Sequence, residues 1–180
     1  VTNFNELDKM LLDAITRQVQ ASIENQYLNN QAIEKEKMEQ ELNVAASIQK
    51  RILPTELPTI EEYDLAGINI PSKDVGGDYY NCIELGKGKY AFIIADVAGK
   101  GIGAALLVST LDAALHSYLQ FDIPLTEMSD RLNKLIYKSS PSDKFITFFI
   151  AVLDSNTGEL DIVNAGHNPI FLLRKDGNLE

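Results

Sequence analysis

Apolar residues recur at Leu7, Leu11, Ile15, Val19, Ile23 and Tyr27, with Phe4, Leu12, Ala14 and Ala21 widening the stripe. That spacing predicts an amphipathic helix, and Asn3 or Asn5 is placed to cap its start. Between positions 29 and 41 only Ala32, Ile33 and Met38 are apolar, amid Glu34, Lys35, Glu36, Lys37, Glu39 and Glu41, so the stretch reads as a solvated helical linker. Apolar spacing resumes at Met38, Leu42, Ala45 and Ile52, with Ile48 beside it, and stops at Pro54, whose ring cannot continue a helix. A helix of about 50 residues is ~75 Å long, more than one small domain can cover. Its stripe therefore predicts either a parallel coiled coil with a second copy or a helix folded back on its own domain. Gln49 at a seam position makes the heptad imperfect, and a helix pair broken near Asn29-Asn30 is the alternative.

Beyond Pro54 the periods shorten. Strands are predicted at 63–70 (YDLAGINI), 76–84 (GGDYYNCIE) and 89–96 (KYAFIIAD), the last two joined through Gly86-Lys87-Gly88. Helices follow at 102–119 and 126–137, with Thr126 as N-cap. Further strands are predicted at 145–153 (FITFFIAVL), 159–164 and 169–173, the last before an Asp176-Gly177 turn. Strands paired through hairpins, with two consecutive helices between the groups, indicate an α+β fold rather than βαβ winding.

Composition sharpens this division. All 11 Gly and all 6 Pro lie at Pro54 or beyond, so a breaker-free arm precedes a densely punctuated segment. The formal net charge of −10 falls mostly on the second part, and the sequence pI of about 4.7 disfavours a nucleic-acid partner or an anionic membrane surface. The single Cys excludes an internal disulfide. No apolar run approaches the roughly 20 residues of a membrane span. The chain begins at Val1 rather than Met, so its native N-terminus is expected to lie upstream, and a cytoplasmic location is the expectation.

Two aspartates carry the candidate chemistry. Asp78 follows Gly76-Gly77, and Asp96 ends the hydrophobic run FIIAD before the loop Gly99-Lys100-Gly101-Ile102-Gly103. If the two strands pair through the Gly86-Lys87-Gly88 hairpin, the carboxylates meet near one sheet edge. There they repel each other unless a cation or a proton lies between them. Converging oxygen ligands suit Mg²⁺ or Mn²⁺, and two such ions can activate water for attack on phosphorus. The bland reading is that each Asp caps a turn or helix. Gly99-x-Gly101-x-x-Ala104 also fits a loosened dinucleotide fingerprint, but Asp96 puts negative charge where a phosphate would lie, and the next element is a second helix. Cys82 reads as core filling and His116 as a helix surface or packing residue. His167, in the turn Asn164-Ala165-Gly166-His167-Asn168-Pro169, reads as structural unless that turn folds over the carboxylates.

Five ordered segments carry a resemblance: AASIQKRILP (45–54), VGGDYY (75–80), IADVAGKGIGAALL (94–107), FITFFIAVLD (145–154) and NAGHNP (164–169). Together they resemble the PPM-type, protein phosphatase 2C-like serine/threonine phosphatases of the bacterial SpoIIE/RsbU group. Residues 1–28 are similar to the closing helix of a GAF-like sensor domain, and 29–53 to the helical, coiled-coil linker that follows such sensors. The resemblance makes residues 54–180 the expected phosphatase domain. The resemblance implies an αββα sandwich with a two-metal site holding Mn²⁺ or Mg²⁺. Asp78 and Asp96 would be catalytic metal ligands, Asp96 bridging both ions, and the Val97 carbonyl would complete part of the shell. It further implies that a metal-activated hydroxide attacks phosphoserine or phosphothreonine directly, without a catalytic Cys. Eukaryotic relatives carry a histidine shortly after the bridging aspartate. Here that stretch reads Val97-Ala98-Gly99, leaving no obvious proton donor to the leaving group.

The family's further metal-binding aspartates fall beyond residue 180, and Asp176-Gly177 does not fit their place, so the sandwich is expected to be C-terminally incomplete and weakly active alone. The implied substrate is a phosphorylated STAS-domain anti-sigma factor antagonist, in a partner-switching pathway controlled by a sensor through the helix of a homodimer. The competing reading is a catalytically inactive dimerisation or interaction module of the same fold.

Overall fold

The structure is a computed structural model and describes residues 5–70, 75–173, 176 and 178. The chain divides into two units, Val1–Asn43 and Val44–Glu180. In the first, helix α1 (Glu6–Gln49, reaching into the second unit at its C-terminal end) begins as the sequence predicts. The Asp8 backbone N–H donates to Asn5 Oδ1 at 2.9 Å and the Asn5 N–H donates to Asp8 Oδ2 at 3.0 Å, a reciprocal cap that satisfies donors the helix leaves open. Asn3 and Phe4 lie outside the described residues. The helix runs unbroken through Asn29-Asn30, which corrects the broken-pair alternative: two Asn without Gly or Pro cost too little propensity to end a helix. Leu7, Leu11, Ile15, Val19, Ile23 and Tyr27 are all exposed.

The second unit is α+β. Strands β1 (Asp78–Gly86), β2 (Lys89–Val97), β3 (Ile146–Asp154) and β4 (Glu159–Ala165) form one sheet in sequence order, every neighbour antiparallel. Helices α2 (Ile102–Tyr118) and α3 (Leu125–Ser139) connect β2 to β3. Alternation sorts β2 onto two faces. Ala91, Ile93, Ala95 and Val97 are buried, together with Tyr79, Phe148 and Ile150 from the flanking strands. Against them lie Ala104, Leu107, Val108, Leu111 and Leu115 of α2 and Met128 and Leu132 of α3. The small residues at the start of α2 let it approach the sheet closely, and Gly101 precedes it at φ 85, where a side chain would be strained.

The other sheet face carries Ile94, Leu160 and Ile162, each 40–50% exposed as individual values of 44%, 41% and 46% show. In an αββα sandwich this is the face that meets a second sheet. Three local expectations are corrected. Residues 63–70 form no strand, apart from a single Ile60–Tyr63 bridge. Ile68 and Ile70 are exposed, and the Asn69 side chain donates to the Asp78 carbonyl at a long 3.5 Å. The apolar alternation there has no neighbouring strand among the described residues to supply a hydrogen-bond ladder. Residues 169–173 likewise form no named strand, and Gly177 of the predicted turn lies outside the described residues. Thr126 is inside α3 rather than its cap, a place held by Pro124, whose fixed φ suits a helix start without a side-chain bond.

Candidate active site

The hairpin register sets Asp78 directly opposite Asp96, and Asp96 directly opposite Thr147. Cross-strand partners of this kind hold their Cβ atoms about 5 Å apart on the same sheet face. The two carboxylates therefore share one end of the sheet, as the hairpin expectation requires. Asp96 is held above the usual carboxylate range, chiefly by burial, then by the Asp78 charge and a hydrogen bond with its carboxyl. His167 pulls in the opposite direction. Two like charges forced together by register disfavour joint ionisation, and a cation between them removes the penalty.

The backbone beneath the pair is equally constrained. The Val97 N–H donates to the Gly77 carbonyl at 3.1 Å. A Cβ built on Gly77 would lie 2.8 Å from the Val97 carbonyl oxygen and 3.4 Å from that of Gly99. Only glycine lets the strand entering Asp78 pass this close to the carbonyl following Asp96. The groove above has a volume of about 540 Å³ and includes Asp78, Asp96, Tyr80, Cys82, Phe149 and His167 in its lining.

Comparison with known proteins fits this geometry. Residues 86–180 match the family model described as Stage II sporulation protein E (SpoIIE). The chain belongs to the SpoIIE family. It is 32% identical over 143 residues to the phosphoserine phosphatase RsbU of Bacillus subtilis, covering 79% of this chain and 42% of RsbU. Among solved structures it resembles the RsbU and RsbW domains of Rv1364c from Mycobacterium tuberculosis, with a TM-score of 0.53 and 26% identity over 61% of this chain and 31% of that one. The SiaA-PP2C domain of Pseudomonas aeruginosa, at TM-score 0.54, 22% identity and coverage of 73% and 54%, supports the PP2C-type fold alone. The chain thus spans less than half the length of RsbU.

For a SpoIIE-family domain, the donor set present is of the right kind for a hard divalent cation: two carboxylates and a backbone carbonyl, all oxygen. Among the described residues no three His, Cys, Asp or Glu side chains converge; the oxygen donors gathered here are Asp78, Asp96 and the Val97 carbonyl. Cys82, half-buried on the groove side, has its thiol pushed up to about 11 by burial, which keeps it out of nucleophilic chemistry. His116 lies on α2 at 3.5 Å from Asp112, a surface pairing away from the carboxylates. His167, by contrast, is brought to them: Nδ1 is 2.9 Å from Thr147 Oγ1, and that hydroxyl is 3.4 Å from the Asp96 carbonyl oxygen.

Sequence reasoning passed over Thr147 and misread Gln49. Gln49, which reads as a flaw in the heptad, is the single buried polar side chain among the described residues. Its Nε2 donates to the Gly76 carbonyl at 2.6 Å, and its Oε1 accepts from the Gly76 N–H at 2.9 Å. The end of α1 thereby grips the backbone two residues before Asp78. A lone amide in an otherwise apolar seam was the available signal.

Gly77→Ala is expected to displace the Val97 carbonyl and weaken Mn²⁺ binding by about 10–100-fold, as changes in the support of metal ligands typically do. Titration of the protein with Mn²⁺, followed by electron paramagnetic resonance, measures it. Unchanged affinity would remove Val97 from the shell.

Proposed function

We propose that this chain carries the catalytic core of a metal-dependent phosphoserine/phosphothreonine protein phosphatase. The observation that carries the reading is the register pairing of Asp78 with Asp96 over the Gly77–Val97 contact, in a SpoIIE-family chain. Asp78, Asp96 and the Val97 carbonyl would hold Mn²⁺ or Mg²⁺. Two such cations supply charge neutralisation and acidify water for attack on phosphorus. The protein contributes the fixed carboxylates and an open groove that admits a phosphorylated side chain. By its likeness to RsbU, the substrate we propose is a phosphorylated STAS-domain protein in a partner-switching pathway of the cytoplasm. The exposed apolar stripe from Leu7 to Tyr27, in the 1–28 segment that resembles the closing helix of a GAF-like sensor, and the linker 29–53 would pair two copies in a homodimer. Gln49 would pass the state of that helix to the site. No described helix is long and apolar enough to cross a membrane.

The reading is tested by turnover of a phosphoserine peptide by a chain as long as RsbU and by the 180 residues alone, with Mn²⁺, with Mg²⁺ and after chelation. Release of phosphate that chelation abolishes and Mn²⁺ restores is expected from the longer chain, and weak release from the shorter one. The presence of only two convergent carboxylates among the described residues favours the rival reading, a phosphatase-fold interaction module without activity. Binding of the phosphopeptide with no metal-dependent release would establish that reading instead.

A further inference from the structure

Hydrolysis of a phosphoserine needs a proton at the departing oxygen, because an alkoxide is a far poorer leaving group than an aryl oxide. Most titratable side chains of the groove are ill-suited to give one. The Tyr79 hydroxyl donates to Asp112 Oδ1 at 2.8 Å, and burial holds its proton firmly. The thiol of Cys82 is raised by burial, and Asp78 and Asp96 are the proposed cation ligands. An imidazole, in contrast, is the side chain most often used as a general acid.

His167 is delivered to the site by the fold. Gly166, at φ 76, turns the chain as it leaves β4, and the His167 N–H donates to Asn164 Oδ1 at 2.8 Å. The ring then meets β3 at Thr147, the cross-strand partner of Asp96. If the Thr147 hydroxyl donates to the Asp96 carbonyl, its oxygen accepts from Nδ1–H. That arrangement assigns the Nδ1 proton and leaves Nε2, unpartnered among the described residues, as the exchanging atom. The ring is half-buried and lines the same groove as both carboxylates.

We propose, resting on the phosphatase reading, that His167 protonates the leaving serine or threonine oxygen, with Thr147 positioning its ring. As water bonds to phosphorus, the bond from phosphorus to the side-chain oxygen breaks and its electron pair passes to that oxygen, which takes the Nε2 proton. The attacking water loses a proton to solvent. The products are inorganic phosphate, a free hydroxyl and a neutral imidazole, which solvent reprotonates.

Substrates that differ in leaving group test this in the full-length protein. His167→Asn is expected to lose ~10²–10⁴-fold in kcat on a phosphoserine peptide while changing p-nitrophenyl phosphate turnover by no more than about threefold, since general acid catalysis matters only where the leaving group needs the proton. Mn²⁺ affinity, read by electron paramagnetic resonance, is expected to stay unchanged, and retained aryl phosphate turnover shows that the variant folds. Thr147→Val is expected to show the same selectivity with a smaller loss. Equal losses on both substrates, a parallel fall in Mn²⁺ affinity, or no loss on either would overturn the proposal. Wild-type protein that releases no phosphate from the peptide would overturn the phosphatase reading, and this one with it.

Discussion

Asp96→Asn is expected to lower phosphoserine turnover by ~10³-fold or more, the equivalent of at least ~4 kcal/mol of transition-state stabilisation, because it removes a carboxylate charge from the proposed cation site. The same change is expected to leave the metal-free fold intact. Asp96 is a charged group held above its usual range by burial and by Asp78 opposite, so a neutral isostere relieves that strain. Thermal unfolding separates the two effects. Wild-type protein is expected to gain stability as Mn²⁺ is added, through preferential binding to the native state, whereas the variant should show a flat response. A variant that gains stability with Mn²⁺ as the wild type does, or that turns over at the wild-type rate, would overturn the assignment of Asp96.

Gln49→Ala should be the most damaging change outside the groove. It removes a donor and an acceptor from Gly76 at once, and leaves a part-buried carbonyl and N–H unpaired, at about 1–3 kcal/mol for each group not reached by water. The loss falls on the segment leading into Asp78, so metal affinity is expected to drop by about 10–100-fold. Gln49→Glu is the sharper variant. It keeps the size and can still accept from the Gly76 N–H, but it presents a carboxylate oxygen to the Gly76 carbonyl where the amide donated at 2.6 Å. Glu is therefore expected to be at least as harmful as Ala at neutral pH. Mn²⁺ titration of both variants decides the matter, and a Gln49→Glu protein with wild-type affinity would mean that the grip on Gly76 does not support the site. Because Gln49 ends α1, the same measurement tests the proposal that this helix passes its state to the carboxylates.

Much of this was legible along the chain. The absence of Gly and Pro before Pro54 accompanies a single unbroken helix, since nothing in those residues interrupts backbone hydrogen bonding. The hairpin at Gly86-Lys87-Gly88 pairs β1 with β2 and brings Asp78 and Asp96 to one sheet edge. They stand directly opposite each other only because the register shifts between Glu84 and Gly86, an irregularity that strict counting from the turn misses. Strand and helix limits from Asp78 to Ala165 fall within two or three residues of their sequence periods. Expectation failed at 63–70 and 169–173, where local alternation is compatible with a strand but a strand exists only if another backbone supplies its hydrogen bonds.

The sequence by itself determined the helical arm, the α+β order of the elements and the two carboxylates, because each depends on short-range periodicity or on a turn. Only the tertiary structure decided the contacts of Gln49, Thr147 and His167. Gln49 meets Gly76 across 27 positions of the chain, His167 meets Thr147 across 20, and Thr147 reaches Asp96 across 51. No periodicity connects residues that far apart. Their hydrogen bonds exist because the sheet closes the distance between β2 and β3 and because the chain turns at Gly166, and a glutamine or a histidine looks the same in sequence whether it faces solvent or a carboxylate.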